Sequence, residues 1–296
     1  MSTSAGATSV RPLGQDFLDI LSEVPKKTLY HYTTQKGLLG IVKDRQIWAT
    51  HHQCLNDTQE FVHAKGLFRT ELEKRAHADP LLKEMQRSLE GEGFESVNLY
   101  VASFSEEPDS LAQWRAYGGL ASGFSLGFKL DGIVLPSRFI MVRCIYKEDE
   151  QRERIRAIVD EILDRLHKIP GEITDTPRFA KPYLDVFFRS PLHTYALSLK
   201  HPKFAEEREW RIVSLQPMME DSYGEAPLDF REGKSEVIPF RRVPLTNNMK
   251  AFPLTQIVVG PNPDPEQSSR SVLSLLKSQG LAKCTVRMSD VPYRSW

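Results

Sequence analysis

Two glutamates, Glu207 and Glu209, flank a single arginine at the head of the apolar stretch "WRIVSL". Side chains of a strand alternate in direction. A strand starting at Glu207 therefore puts Glu207, Glu209, Arg211 and Val213 on one face and Arg208, Trp210, Ile212 and Ser214 on the other. Two residues apart at a rise of about 3.3 Å per residue, the two carboxylate-bearing Cα atoms lie about 7 Å from one another. Like charges that close repel unless a cation or a ligand stands between them, and Arg211 is a candidate partner. Such a pair can hold a cation or a ligand, or it can be a salt-bridge ladder on a solvated edge strand. Both readings stay open on these residues alone.

Three other stretches carry side chains of chemical interest. In "LYHYT" a strand puts His31 on one face with Leu29 and Thr33, while Tyr30 and Tyr32 point the other way. His31 is then either a satisfied, half-buried residue or a ligand group. In "VASFSEEPDSLAQWRAYGG", Ser103 and Ser105 flank Phe104, so both hydroxyls face one way. Trp114 and Tyr117 follow, just before Gly118 and Gly119, a setting that suits a flat ring stacked over a strand end. A core tryptophan beside an ordinary turn explains the same residues. "HHQC" offers His51, His52 and Cys54, with His63 further on, but adjacent histidines of a strand diverge and no C-x-x-C partner exists, so no metal site is expected. There is no P-loop and no G-x-G-x-x-G, and "GFSLG" is not a G-x-S-x-G elbow.

The elements that must position these residues follow from periodicity. Strands are predicted at 29–33, "QIWAT", 97–104, 123–128, 139–147, 207–215, 236–241, 256–259 and 286–288. The 139–147 run is almost continuously apolar, which predicts a central strand. Helices are predicted at 36–45 and from an Asp57 N-cap through Phe68. From Glu148 to about Lys168, Ile155, Ile158, Val159, Ile162, Leu163 and Leu166 recur at helical spacing. A second helical region, 182–200, is expected to break at Pro191. The last helix opens on Asp264 as N-cap, with Pro265 at the first helical position and Gln267 where a capping box wants Glu or Gln. Strands broken by helices out of strict alternation predict an α+β fold. Residues 1–13 are expected to form a disordered tail and 14–296 a single domain with a helical insertion at about 148–200.

Composition narrows the class. The 296 residues are 40% hydrophobic, enough for a substantial core, and Lys plus Arg (39) balance Asp plus Glu (39). No overall basic field therefore marks a dedicated nucleic-acid binder. The polar start "MSTSAGATSVRP" lacks the apolar core of a signal peptide, and no run of about 18 apolar residues occurs. Three cysteines, Cys54, Cys144 and Cys284, are odd in number and far apart, as in reduced thiols. A cytoplasmic protein without membrane contact is expected.

Taken together, "LYHYT…GLLGIV…IWAT", "CLNDTQEF", "VASFSEE…LAQW…YG", "GFSLGF", the "EEREWRIV" stretch and the terminal "SDVPYR" resemble a widespread bacterial family, Domain of Unknown Function 2971. The resemblance runs from about Leu29 to Arg294. More distantly, the chain resembles the ADP-ribosyltransferase superfamily, in which a first-strand histidine or arginine, a central Ser-x-Ser or tyrosine and a late glutamate, often within Glu-x-Glu, succeed one another. Here the matching positions are His31, then Ser103 and Ser105 with Tyr117 nearby, then Glu207 and Glu209. The opening "HYTT" resembles the DNA-modifying members, which brings in Tyr32 and Thr33. The chain departs from the pattern in the placing of its tyrosine and in the 148–200 insertion.

That resemblance implies a split antiparallel or mixed sheet with helical insertions. It also implies an NAD-dependent ADP-ribosyltransferase or NAD glycohydrolase, with NAD+ as substrate and an acceptor that is protein, nucleic acid or small molecule. Bacterial members of such groups act as toxins or in phage defence. Cleaving the nicotinamide–ribose bond builds positive charge on the ribose. In this scheme Glu209 is the facing anion, bonding a ribose hydroxyl and taking the acceptor's proton, and Glu207 positions the acceptor. His31 bonds the other ribose, Ser103 and Ser105 brace the strand and Glu209, and Tyr117 or Trp114 stacks on nicotinamide. The alternative is a non-catalytic ligand- or partner-binding module on the same fold, with Glu207 and Glu209 paired to Arg211 or Arg208 as structure. Oligomeric state is not readable.

Overall fold

The computed structural model describes residues 23–55, 60–91, 97–118, 123–136, 138–168, 184, 188–214, 227–233, 235–247, 249 and 251–292. The expected tail at 1–13, the Asp57 cap and Arg294 lie outside them. In chain order the elements are β1 (Thr28–Thr33), α1 (Gln35–Asp44), β2 (Gln46–His51), α2 (Glu60–Arg75), α3 (Pro80–Glu90), β3 (Tyr100–Ser105), α4 (Leu111–Tyr117) and β4 (Phe124–Lys129). Then come β5 (Ile133–Val134), β6 (Phe139–Arg143), α5 (Glu148–His167), α6 (Ser190–Ala196), β7 (Glu209–Ser214), β8 (Leu228–Glu232), β9 (Val237–Pro244), β10 (Thr246–Asn247), β11 (Leu254–Val259), α7 (Pro265–Ser278) and β12 (Thr285–Met288).

The fold is α+β, built on one open ten-stranded sheet that runs β12-β11-β4-β1-β3-β2-β9-β8, with β7 joined to β3 and β6 to β7. Its ladders are antiparallel except β11–β12. The ladder forks at β3. One edge of β3 pairs with β7 from Val101 to Ser105. The other is shared: β1 meets it at Tyr30↔Ser105, and β2 at Thr50↔Val101 and His51↔Tyr100. Helix α1 sets up this sharing by carrying the chain back, so that β2 runs in the same direction as β1, both antiparallel to β3. Thr34 caps its start by accepting from the Gly37 N–H, and Arg45 ends it in the left-handed region at φ 54°.

Both faces of the sheet are covered. The apolar stripe of α5 (Ile155, Ile158, Val159, Ile162) is buried with residues of α2, α3 and α6 against Val101, Ile140, Val142 and Val213. On the opposite face α1 and α7 pack over Leu29, Phe104, Leu126, Phe128 and Ile212. The stripe on α5 thus finds its cover within the chain. No helix among the described residues is long and apolar enough to cross a membrane.

Several local expectations change. Strand β6 pairs only with β7 among the described residues, so it is not central. Its continuous apolar run comes from burial on both faces, with Phe139 and Met141 in one core and Ile140 and Val142 in the other. Pro191 sits in the first turn of α6, directly after a π-helical turn at Phe188 and Arg189, so the helical hydrogen-bonding pattern changes at this proline. Strand β7 begins at Glu209 rather than Glu207, because Pro202–Glu207 forms a 3-10 turn and Arg208 is left-handed at φ 42°. At α7, Asp264 accepts from the Gln267 N–H as expected, but the Gln267 side chain accepts from Arg270, so only half of the capping box forms.

Gly127 in β4 is set by a close approach: a Cβ there would stand 2.7 Å from the Tyr30 ring and 3.1 Å from the Thr28 methyl. Gly127→Ala is expected to lower stability by about 1–3 kcal/mol, the usual scale of overpacking. Urea unfolding checks this, and a variant as stable as the parent would show that Tyr30 can move aside freely.

Candidate functional site

Where the ladder forks, a cleft opens to solvent, lined by Tyr30, His31, Tyr32, Ser103, Phe104, Gln113, Tyr117, Glu207 and Glu209. Its volume is about 340 Å³, counting solvent at the mouth. Beyond Tyr30, β1 no longer pairs with β3, so residues from both faces of β1 border the opening. That is why Tyr30, His31 and Tyr32 all line it although they alternate.

His31 sits in the fork. Its Nδ1 lies 2.8 Å from the Ser103 carbonyl oxygen, and a carbonyl can only accept, so Nδ1 carries the proton and the neutral ring keeps Nε2 as acceptor. Burial pulls the His31 pKa below its usual value, partly opposed by the Ser103 bond. The ring also packs against Phe104 at 5.8 Å between centroids. Its imidazole N–H thus serves a strand carbonyl at the point where the ladder has parted.

The two glutamates meet a cation that sequence reasoning missed. Lys200 Nζ bonds carboxylate oxygens of both Glu207 and Glu209, the latter at 2.5 Å. Arg211 holds Glu209 in a fork, Nε to Oε1 at 2.8 Å and Nη2 to Oε2 at 3.1 Å, and donates from Nη1 to the Leu197 carbonyl. Lys200, Glu209 and Arg211 are all buried. Arg208 points elsewhere, to Glu107. Burial would push the Glu209 carboxyl up, but the charges and hydrogen bonds of Arg211 and Lys200 outweigh it and hold the group at about 2. Glu207 moves the other way, because its burial outweighs the same lysine. Lys200 is raised: burial opposes its charge, but the attraction of Glu209 and Glu207 prevails. No local signal in "LSLKHP" marks Lys200. It enters because Ile145 bridges Leu199, which lays the segment beside the start of β7.

The serines divide their work. Ser103 borders the cleft. Ser105 is buried, donates to the Glu207 carbonyl at 2.7 Å and accepts from the Glu107 N–H at 3.0 Å, so it braces the backbone of Glu207 rather than Glu209. The Tyr32 hydroxyl donates to the Glu107 carbonyl and accepts from the Ser110 N–H, holding the loop before α4. Thr33 lies at the end of β1 against Gly37, away from the cleft.

Of the two stacking candidates, the structure brings only Tyr117 to the cleft. Trp114 is core. Its indole N–H donates to Asp109 at 2.7 Å, and its ring meets Tyr32 edge-on at 4.7 Å. Asp109 also accepts from the Ser289 hydroxyl and the Asp290 N–H, which ties the β3–α4 loop to the chain after β12. Gln113, four residues before Tyr117 and so on the same helical face, reaches the cleft as well. That spacing was the available signal for it.

The histidines around residue 51 are engaged with protein: His52 Nε2 bonds the Val97 carbonyl, and His63 Nε2 lies 3.1 Å from the Gln151 amide oxygen. Burial and the neighbouring His51 lower His52 to about 4. Among the described residues no group of three or more His, Cys, Asp or Glu side chains is placed to hold a metal.

Over residues 113–212 the chain matches the profile of a family described as protein of unknown function (DUF2971). The matched span holds Gln113, Tyr117, Lys200, Glu207, Glu209 and Arg211, while His31 and Ser103 lie before it. No curated protein and no solved structure matches the chain.

Removing one member of a buried ion cluster leaves its partners uncompensated, so Arg211→Met is expected to cost about 3–5 kcal/mol. The Glu209 shift also gives a pH signature. Its folded pKa is depressed, so its contribution to stability is complete above the unfolded carboxylate value of about 4.3 and is lost as pH falls towards about 2. Melting temperatures from pH 6 to 2 should therefore fall less steeply for the charge-balanced double variant Glu209→Gln/Lys200→Met than for the parent. Parallel curves would show that this pair does not govern acid stability.

Proposed function

We propose that the cleft binds the nicotinamide end of NAD+ and that the chain is an ADP-ribosyltransferase or NAD glycohydrolase on a split sheet of the ADP-ribosyltransferase type. One observation carries the reading: the fork at β3 gathers His31, Ser103, Tyr117, Glu207 and Glu209, far apart in sequence, around a single cleft.

In this reading the C1′–N bond of the nicotinamide riboside breaks with its electron pair passing to the pyridine nitrogen. Water or an acceptor hydroxyl then attacks C1′ and gives up a proton. Glu209, held at about 2, stays ionised and faces the developing ribosyl cation. A carboxylate that acidic is a poor proton acceptor, so the proton goes to Glu207, whose pKa is raised. Glu209 keeps the place facing the cation that the resemblance implied for it, and the proton-accepting role moves from Glu209 to Glu207. The neutral His31 Nε2 accepts from a ribose hydroxyl, and Tyr117 packs on the pyridine ring. The acceptor, and any part in toxicity or phage defence, belong to the same proposal.

A second reading is favoured by a specific observation. Arg211 and Lys200 occupy both oxygens of Glu209, and with Glu207 the four side chains sum to zero formal charge. Such a cluster can be pure structure beneath a non-catalytic binding cleft.

Incubation with NAD+ separates the two. Nicotinamide release is expected on the first reading, and thermal stabilisation by NAD+ without release on the second. Glu209→Gln alone would leave Lys200 and Arg211 short of one anion, so the informative variant is Glu209→Gln/Lys200→Met. A double variant that melts like the parent yet turns over about a hundredfold more slowly supports the Glu209–Lys200 pair, which also holds Glu207, as the working charges. Parent-like turnover in that variant would sink the catalytic assignment. His31→Ala is expected to weaken NAD+ binding while the chain stays folded; unchanged affinity with a lowered melting temperature would make His31 a packing residue.

A further inference from the structure

Gln113 presents an amide that the protein itself does not use. It is 8% exposed, and the cleft is the space its side chain borders. Among the described residues its carboxamide makes no hydrogen bond, while its helical neighbour Trp114 is fully engaged with Asp109. The side chain is mostly buried, yet the amide is not among the solvent-excluded polar atoms that lack a partner, so it faces the solvent of the cleft, where a ligand would meet it. Helix α4 is nevertheless held firmly in place, through Asp109 to Ser289 and Asp290 and through Ser110 to the Tyr32 hydroxyl. The amide is therefore fixed in position with both its donor and its acceptor open.

We infer that Gln113 is the specificity-determining residue of the cleft and that it reads a planar ring bearing an uncharged carboxamide. The inference rests on the nicotinamide reading above and deepens it. A primary carboxamide is the complement of a glutamine amide: its N–H₂ donates to the Gln113 oxygen, and its carbonyl accepts from the Gln113 N–H₂. Tyr117, one helical turn away on the same face, supplies an apolar surface for the ring that bears the carboxamide. A carboxylate in the same place would leave the Gln113 oxygen without a donor. Sites that hydrogen-bond a polar group discriminate steeply against analogues lacking it, because the buried partner is left unpaired.

The test uses the full-length chain with nicotinamide and nicotinic acid as probes, and compares the parent with Gln113→Leu and Gln113→Glu by calorimetric titration and thermal melting. The parent is expected to bind nicotinamide saturably and nicotinic acid at least about tenfold more weakly. Gln113→Leu should lose about ten- to a hundredfold in nicotinamide affinity. Its melting temperature should not fall, since no internal hydrogen bond is removed; a purely structural glutamine would lower it. Gln113→Glu keeps an acceptor, loses the N–H₂ donor and should also bind weakly. Failure of the parent to bind nicotinamide, equal binding of nicotinic acid, or an unchanged affinity in Gln113→Leu would each overturn the inference. Gln113-dependent nicotinamide binding without NAD+ turnover would overturn only the proposed reaction. NAD+ turnover indifferent to Gln113→Leu would overturn only the inference.

Discussion

One edge of β3 cannot be filled by a single strand, and the site follows from how that edge is divided. Strand backbones carry donors and acceptors that must be matched. Here β1 pairs at Ser105, β2 pairs at Tyr100 and Val101, and the stretch between them faces an opening. The His31 imidazole meets one of the backbone groups there, the Ser103 carbonyl. The fork therefore makes the cleft and places a proton-bearing ring within it. The uninterrupted ladder on the opposite edge, from β3 to β7 and on to β6, holds the start of β7 rigidly beside that opening.

Rigidity matters because the start of β7 carries a buried charge. A carboxylate removed from water is costly unless cations and hydrogen bonds replace its hydration. Glu209 has both, with a forked arginine on its own strand and a lysine from the segment after α6. Its backbone is fixed as well: its N–H donates to the Tyr146 hydroxyl at 2.9 Å, and its carbonyl accepts from the Cys144 N–H at 2.9 Å. Glu207 lies off the strand on a 3-10 turn, so it reaches the same lysine from a different direction and keeps a higher pKa. Two carboxylates two residues apart thus acquire different acidities from their surroundings, a pattern associated with a division between fixed anion and proton acceptor.

The third wall is α4. Seven residues are too few to be stable as a helix alone, so its position comes from tertiary ties. Asp109 provides most of them. Its carboxylate receives the Trp114 indole N–H and two groups from the chain after β12, which docks the helix against Tyr32 and Val258. With Trp114 turned inward as the anchor, the face carrying Gln113 and Tyr117 is left to border the cleft.

Much of the architecture was legible in the sequence, because it depends on local chemistry. Alternation and apolar content marked the strands around β1, β4, β7 and β11, the 3.6-residue period marked α5, and Asp264-Pro265 marked the start of α7. Alternation also separates His31 from Tyr30 and Tyr32, and places Ser103 and Ser105 on one side of Phe104. Other features depend on groups that are neighbours only in space. A continuous apolar run records burial on both faces but not hydrogen-bonding rank, so β6 read as central although among the described residues it borders only β7. The left-handed Arg208 moved Glu207 off the strand, and nothing in the sequence required that turn. Which aromatic would reach the cleft depended on Asp109 claiming Trp114, a choice made by residues 289 and 290 at the far end of the chain. Lys200 had no local mark at all, since the partner of a buried carboxylate is chosen by where the sheet brings a cation, and only the folded chain brings it there.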